Sequence, residues 1–121
     1  MTGDVYGYTK LYPEAVVGFM NKSSLIRGVE TPLLDRTGLG WGNDKEGGPE
    51  GFHRGNIFAS ELTGPILVKN PRMLETVAVA VLARRGIRLP EPPPRDTLGW
   101  EAYAVTEEQL RRRVGGTAAD R

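Results

Sequence analysis

The sequence predicts an α/β domain of short strands with one well-capped helix toward its C-terminal side. Three observations carry that expectation. Glycine (16) and proline (9) are abundant in a chain of 121 residues, a composition of short elements and many turns that argues against a helical bundle. β-Branched and aromatic residues such as Val16, Val17 and Phe19 stand in short runs between turn signals, as strands require. From Asn70 onward, Leu74, Val77, Ala78, Val81 and Leu82 fall on one helical stripe.

Length allows one domain of modest core or part of a larger one. Sixteen Lys and Arg against fifteen Asp and Glu leave a net charge of +1, which gives no global reason to expect nucleic acid or an anionic membrane as partner. The chain has no cysteine, so disulfides, thiolate metal sites and cysteine nucleophiles are excluded together. A single histidine, His53, supports no histidine-based metal site, and no residue pattern calls for a cofactor. No apolar run approaches the ~20 residues of a membrane span, and the opening MTGDVYGYTK lacks the layout of a secretion signal. The expectation is a soluble cytoplasmic protein.

In chain order, Met1 to Lys10 reads as either a frayed lead-in or half of an edge strand. The segment AVVGFMN around Val16 to Met20 reads as a strand, with Gly18 marking a close backbone approach or a bulge. NKSS turns the chain, and Ser24 to Gly28 offers a second short strand through Leu25 and Ile26. Thr31-Pro32 favours an extended entry to the small apolar anchor Leu33-Leu34. The run from Thr37 to Gly51 resembles a phosphate cradle only superficially. Gly38, Gly40 and Gly42 alternate instead of following G-x-G-x-x-G, and no helix pattern follows them, so no helix N-terminus faces a phosphate. A strand with Leu39 and Trp41 on one face, ending in the loop Asn43 to Glu50, is the simpler reading.

Phe52 to Arg54 resumes as a strand and pairs through Gly55-Asn56 with Asn56 to Leu62, Phe58 and Leu62 sharing a face. Thr63, Gly64 and Pro65 turn the chain, Ile66 to Val68 is a short apolar step, and Asn70-Pro71 is a good helix start, the asparagine capping a first-turn amide. Arg84 and Arg85 suit the negative end of that helix, and Gly86 suits its left-handed cap. The stretch PEPPP from Pro90 reads as a semi-rigid spacer. The division is therefore a domain over residues 1–89, a proline-rich linker over 90–97 and a helical tail over 98–121. Thr106 caps the tail helix, Gln109 stands at the capping-box position and Arg111 to Arg113 close it; cations in a last turn are a routine solvated feature and do not specify nucleic acid. Trp100 and Tyr103 are placed to pin this arm to the domain or to another chain.

Four motifs then give the chain a likeness. GF-x-N-K-S at Gly18 to Ser23, G-x-G-N at Gly40 to Asn43, EGF-x-x-x-N-x-F-A at Glu50 to Ala59 and L-x-GP-x-L-x-KNP at Leu62 to Pro71 resemble the C-terminal half of the cobyric-acid-synthase-like glutamine amidotransferases. The likeness is strongest to the small subunit of lipid II isoglutaminyl synthase and covers roughly Val16 to Arg85. It implies a partial flavodoxin-like α/β fold. Intact relatives have a cysteine nucleophile in an N-terminal half and a histidine in a tyrosine-leucine-histidine-glycine-proline turn. They hydrolyse glutamine and pass ammonia to the amidation of a cell-wall precursor, through a Mur-ligase-like subunit, or of cobyrinate.

The chain departs from that pattern twice. It lacks the half carrying the nucleophile, and the position matching the histidine is Thr63. A hydroxyl cannot take the proton that a base near neutrality takes, so the resemblance implies a domain that is catalytically incompetent alone. His53, ten residues earlier in a strand, has no partner by spacing. Ser23, Ser24 and Ser60 lie in no G-x-S-x-G elbow, and Asp44, Glu46 and Glu50 stand in a glycine-rich loop where solvated charge is usual. No catalytic residue is thus assigned beyond Thr63 at the family's histidine position. Half of a doubly wound sheet leaves an edge and apolar surface to be covered, so the expected partner is a second copy or a companion chain supplying the missing half.

Overall fold

In the computed structural model, which describes residues 1–90 and 96–114, the chain is mixed α/β. Strands β1 (Thr2–Tyr8), β2 (Val16–Asn21) and β3 (Arg36–Leu39) form an antiparallel sheet in the order β2-β1-β3, and β4 (Phe52–Arg54) pairs with β5 (Ile57–Ala59) as a separate hairpin. Three helices follow: α1 (Ile66–Lys69), α2 (Pro71–Ala83) and α3 (Thr97–Arg111). The chain is thus the mixed α/β unit with small sheets and helices that the sequence predicts.

The N-terminal segment is neither frayed nor an edge. β1 is the central strand, paired with β2 from Thr2↔Asn21 to Gly7↔Val16 and with β3 on its other side. Both faces of the sheet are covered, which hides the polar and apolar alternation that marks a half-exposed strand. Val5, Val16 and Met20 point into one cluster with Leu33, Leu34, Leu62 and Met73, whereas Tyr6, Val17 and Leu39 point into a second with Leu110 of α3. Leu33-Leu34 is thus the anchor its composition suggests. Gly18 faces Leu62, where a Cβ would stand 3.2 Å from the leucine Cβ, so the expected close approach is present.

Several local expectations fail for identifiable reasons. Ser24 to Gly28 is exposed and forms no strand. Leu39 and Trp41 do not share a face: Gly40 adopts φ +84, and Leu39 joins the α3-side cluster while Trp41 packs on the other. The strand expected over Asn56 to Leu62 is limited to β5, although Phe58 and Leu62 do meet the same cluster. The apolar step at Ile66 is a helical turn. Asn70 precedes α2 but makes no capping bond.

The stripe of α2 is the largest misreading. Pro71 and Met73 are its buried residues, while Leu74 is 47% and Val81 57% exposed. The helix touches the core with its first turns and Val77, leaving much of its apolar surface outside. At its end Ile87 N–H donates to Leu82 O (3.0 Å) and Gly86 N–H to Ala83 O (3.1 Å), with Gly86 at φ +69, the paired bonds of a Schellman cap.

The tail does not stand apart from the domain. α3 is capped by Asp96, whose carboxylate accepts from Gly99 N–H, and Thr106 lies within the helix instead of capping it. Tyr6 Oη donates to Glu107 (2.9 Å), Tyr103 Oη donates to Ala15 O (2.7 Å) and Arg113 pairs with Asp4 (2.7 Å). Burial pushes the Tyr103 phenol up to about 12 and raises that of Tyr6 as well. Arg111 and Arg112 form i,i+4 pairs with Glu107 and Glu108, so the basic run is held largely within its own helix. The core of the linker, 91–95, and the Gly115-Gly116 end of the tail lie outside the described residues.

Candidate functional site

The bend from Leu62 to Pro65 is built from both sides. Thr63 and Phe19 exchange backbone hydrogen bonds, Thr63 N–H to Phe19 O at 2.7 Å and Phe19 N–H to Thr63 O at 3.3 Å. Gly64 follows at φ +86, a backbone conformation that favours glycine; a Cβ there would meet only the movable end of the Lys69 side chain. Immediately beyond, the Asn70 side chain acts as a substitute strand partner. Its Oδ1 accepts from Val17 N–H (2.8 Å), and its Nδ2 donates to Val17 O (2.7 Å) and to Ile66 O (2.8 Å). The outer edge of β2 is therefore closed at Val17 by an amide side chain and at Phe19 by the bend, which blunts an edge that would otherwise recruit another strand.

Thr63 is exposed, and its Oγ1 donates to Phe19 O at 3.0 Å. The hydroxyl proton thus already has an acceptor. No side-chain base bonds this oxygen among the described residues, so the arrangement offers neither a proton acceptor near neutrality nor an activated nucleophile.

Behind the bend sits a charged cluster of Lys22, Glu50 and Glu61, of which the sequence predicts Glu50 to lie in solvent. Glu50 is fully buried. Its carboxylate accepts from Glu61 N–H (2.7 Å) and from Ser60 Oγ, 3.0 Å from each oxygen. Burial raises its pKa above the ordinary glutamate value, opposed by the bonds from Glu61 N–H and Ser60 and by the charge of Lys22. The Lys22 side chain, 6% exposed, pairs with Glu61 at 2.6 Å, and Ser24 Oγ donates to the other Glu61 oxygen (3.1 Å). Asn43 closes the loop by accepting from Gly51 N–H (2.8 Å) and donating to Gly51 O (3.3 Å). The roles of Lys22, Glu50 and Asn70 are not legible from the local sequence, which suggests a helix cap for Asn70 and a solvated charge for Glu50, because each role is defined by partners far along the chain.

The remaining candidates are dispersed. His53 lies on β4, stacks on Phe58 (ring centroids 4.6 Å apart) and contacts Gly55 O through Nε2 (3.1 Å). It lines a cleft of about 260 Å³ with Lys10, Glu30 and Asp35. Ser23 is exposed. Asp44 accepts from Glu46 N–H in a local turn (2.9 Å), as solvated loop carboxylates do. A larger cleft of about 920 Å³ runs along α2 past Arg72, Val79, Ile87 and Arg88. Thr63 lines neither cleft. Among the described residues no group of three His, Cys, Asp or Glu side chains is placed to hold a metal ion, and no helix is long and apolar enough to cross a membrane. No protein-family model, curated protein or solved structure matches the chain.

Proposed function

We propose that this chain is a glutamine-amidotransferase-like half domain, cytoplasmic and catalytically incompetent alone, in which Thr63 occupies the place of the family's histidine. The observation that carries the reading is the Thr63 bend itself: a rigidly braced turn whose only side-chain function is a hydroxyl already donated to Phe19 O. The four motifs from Gly18 to Pro71 supply the family, and the absence of cysteine from the whole chain removes the thiolate that glutamine hydrolysis uses. On this reading the antiparallel sheet is part of a partial flavodoxin-like unit. Its parallel strands, nucleophile and oxyanion donors belong to a companion chain, and the cleft that the bend lacks by itself is completed there. By the same resemblance, the ammonia of an assembled relative goes to a Mur-ligase-like subunit.

The test is an ammonia-release assay with glutamine, run on the chain alone, with a cysteine-bearing companion, and with Thr63→His in both settings. The expected result is no release by the chain alone and a gain for Thr63→His only with the companion. A variant that gains nothing in the companion's presence overturns the split-enzyme reading.

The exposed apolar surface of α2, with Leu74, Val79 and Val81 open to solvent, favours a second reading, a non-enzymatic module that acts as a homodimer or companion subunit. A stable homodimer that neither binds glutamine nor needs another chain decides for it.

A further inference from the structure

We propose that Glu50 is the positioning residue of the Thr63 bend and that its ionisation sets how firmly the bend is held. The geometry is a chain of attachments from core to bend. Glu50 exchanges backbone hydrogen bonds with fully buried Leu34 (2.9 and 3.0 Å), which fixes where its side chain starts. Its carboxylate then takes Glu61 N–H (2.7 Å) and the Ser60 hydroxyl (3.0 Å), and Ser60 Oγ accepts from Leu62 N–H at 3.0 Å. The three residues ahead of Thr63 are thus fastened to one side chain, and Thr63 is fastened in turn to Phe19.

The charged groups facing this carboxylate are few. Lys22, just after β2, attracts it and Glu61, beyond β5, repels it. Lys22 is itself held by Glu61 at 2.6 Å, so one ammonium serves two carboxylates. Ser60 and the Glu61 amide complete the polar contacts of the Glu50 carboxylate. In the protonated form one oxygen still accepts from Glu61 N–H while the other donates to Ser60 Oγ, and no net charge is buried. In the ionised form a negative charge sits in a fully buried position with a shared counter-ion, and opening of the segment relieves it. The bend is accordingly held most firmly in acid and loosens as pH rises.

The inference rests on reading this bend as the site, but its test measures local geometry rather than glutamine hydrolysis, so the two fail separately. Backbone amide shifts and hydrogen exchange are followed by NMR across pH on the full chain and on Glu50→Gln, Ser60→Ala and Glu61→Gln. The amides of Phe19, Glu61, Leu62 and Thr63 are expected to move together with one midpoint above the ordinary glutamate value of 4.5. Exchange at Thr63, corrected for its intrinsic pH dependence, is expected to quicken by about tenfold or more above the midpoint. Glu50→Gln, which keeps an acceptor for Glu61 N–H, should leave the Phe19, Leu62 and Thr63 amides flat and protected, Ser60→Ala should move the midpoint further up, and Glu61→Gln should leave a titration in place. A Thr63 amide that stays flat in the wild type while Glu61 moves, a Thr63 titration that survives Glu50→Gln, or one that Glu61→Gln abolishes overturns the proposal.

Discussion

Asn70 and Glu50 are two fully buried polar side chains that do the same mechanical task with different chemistry. Each gathers backbone groups from a segment remote in sequence, Asn70 joining α1 and α2 to β2 and Glu50 joining the exit of β5 to the core. Asn70 is neutral and carries both donor and acceptor, so it satisfies an N–H and a C=O of one residue at once and holds them equally at any pH. Glu50 in its ionised form only accepts, and holding that form in a buried place carries an electrostatic cost that changes with proton binding. The amide is therefore a fixed joint, and the carboxylate is one whose strength the solution can adjust.

Breaking the fixed joint should have the largest effect. Asn70→Ala orphans Val17 N–H, Val17 O and Ile66 O together, and at the usual cost of unsatisfied buried groups it should lower stability by about 3 kcal/mol or more in urea denaturation. Asn70→Asp removes the two donors and places a charge where none is compensated, so it should be no milder. Glu50→Ala comes next, at about 2 kcal/mol, because Glu61 N–H loses its acceptor and a small void opens. Ser60→Ala should cost about 1 kcal/mol, since Glu50 keeps its bond from Glu61 N–H. If Asn70→Ala proves milder than Ser60→Ala, the edge of β2 is not held by the amide and the contrast between the two joints fails.

What the sequence made legible follows from this contrast. Local chemistry was read well: Asn70-Pro71 does start a helix, Gly86 does end one, and Leu33-Leu34 is buried, because each depends on neighbours in the chain. What depended on distant partners was not. Asparagine before proline predicts a helix cap at Asn70, yet Val17, 53 residues away, takes its side chain instead. A glycine-rich loop predicts a solvated Glu50, but the pairing with Leu34 turns its side chain inward. Met1 to Lys10 showed no alternation because β1 is covered on both faces, one of them by α3 from the far end of the chain. In α2 the periodicity was real and its direction was not readable: a stripe says that one face is apolar, not that this chain covers it.

The smallest expected effect separates the two joints most sharply. Glu50→Gln keeps the size and an acceptor oxygen, so in acid, where Glu50 binds its proton, the variant and the wild type should be nearly equal in stability. The folded-state pKa of Glu50 is raised above 4.5, so the native state holds the proton more tightly than the unfolded one. Its contribution to stability is then fully present below the unfolded value and is lost as pH rises through the folded value. Glutamine has no proton to lose. The difference between variant and wild type should grow in the variant's favour from about pH 4.5 upward and level off once Glu50 is ionised in the native state. Denaturation midpoints of the two proteins across pH measure that difference directly. A gap that is constant with pH would mean that Glu50 is as fixed a joint as Asn70, and one that favours the wild type at high pH would mean that Lys22 compensates the buried charge fully.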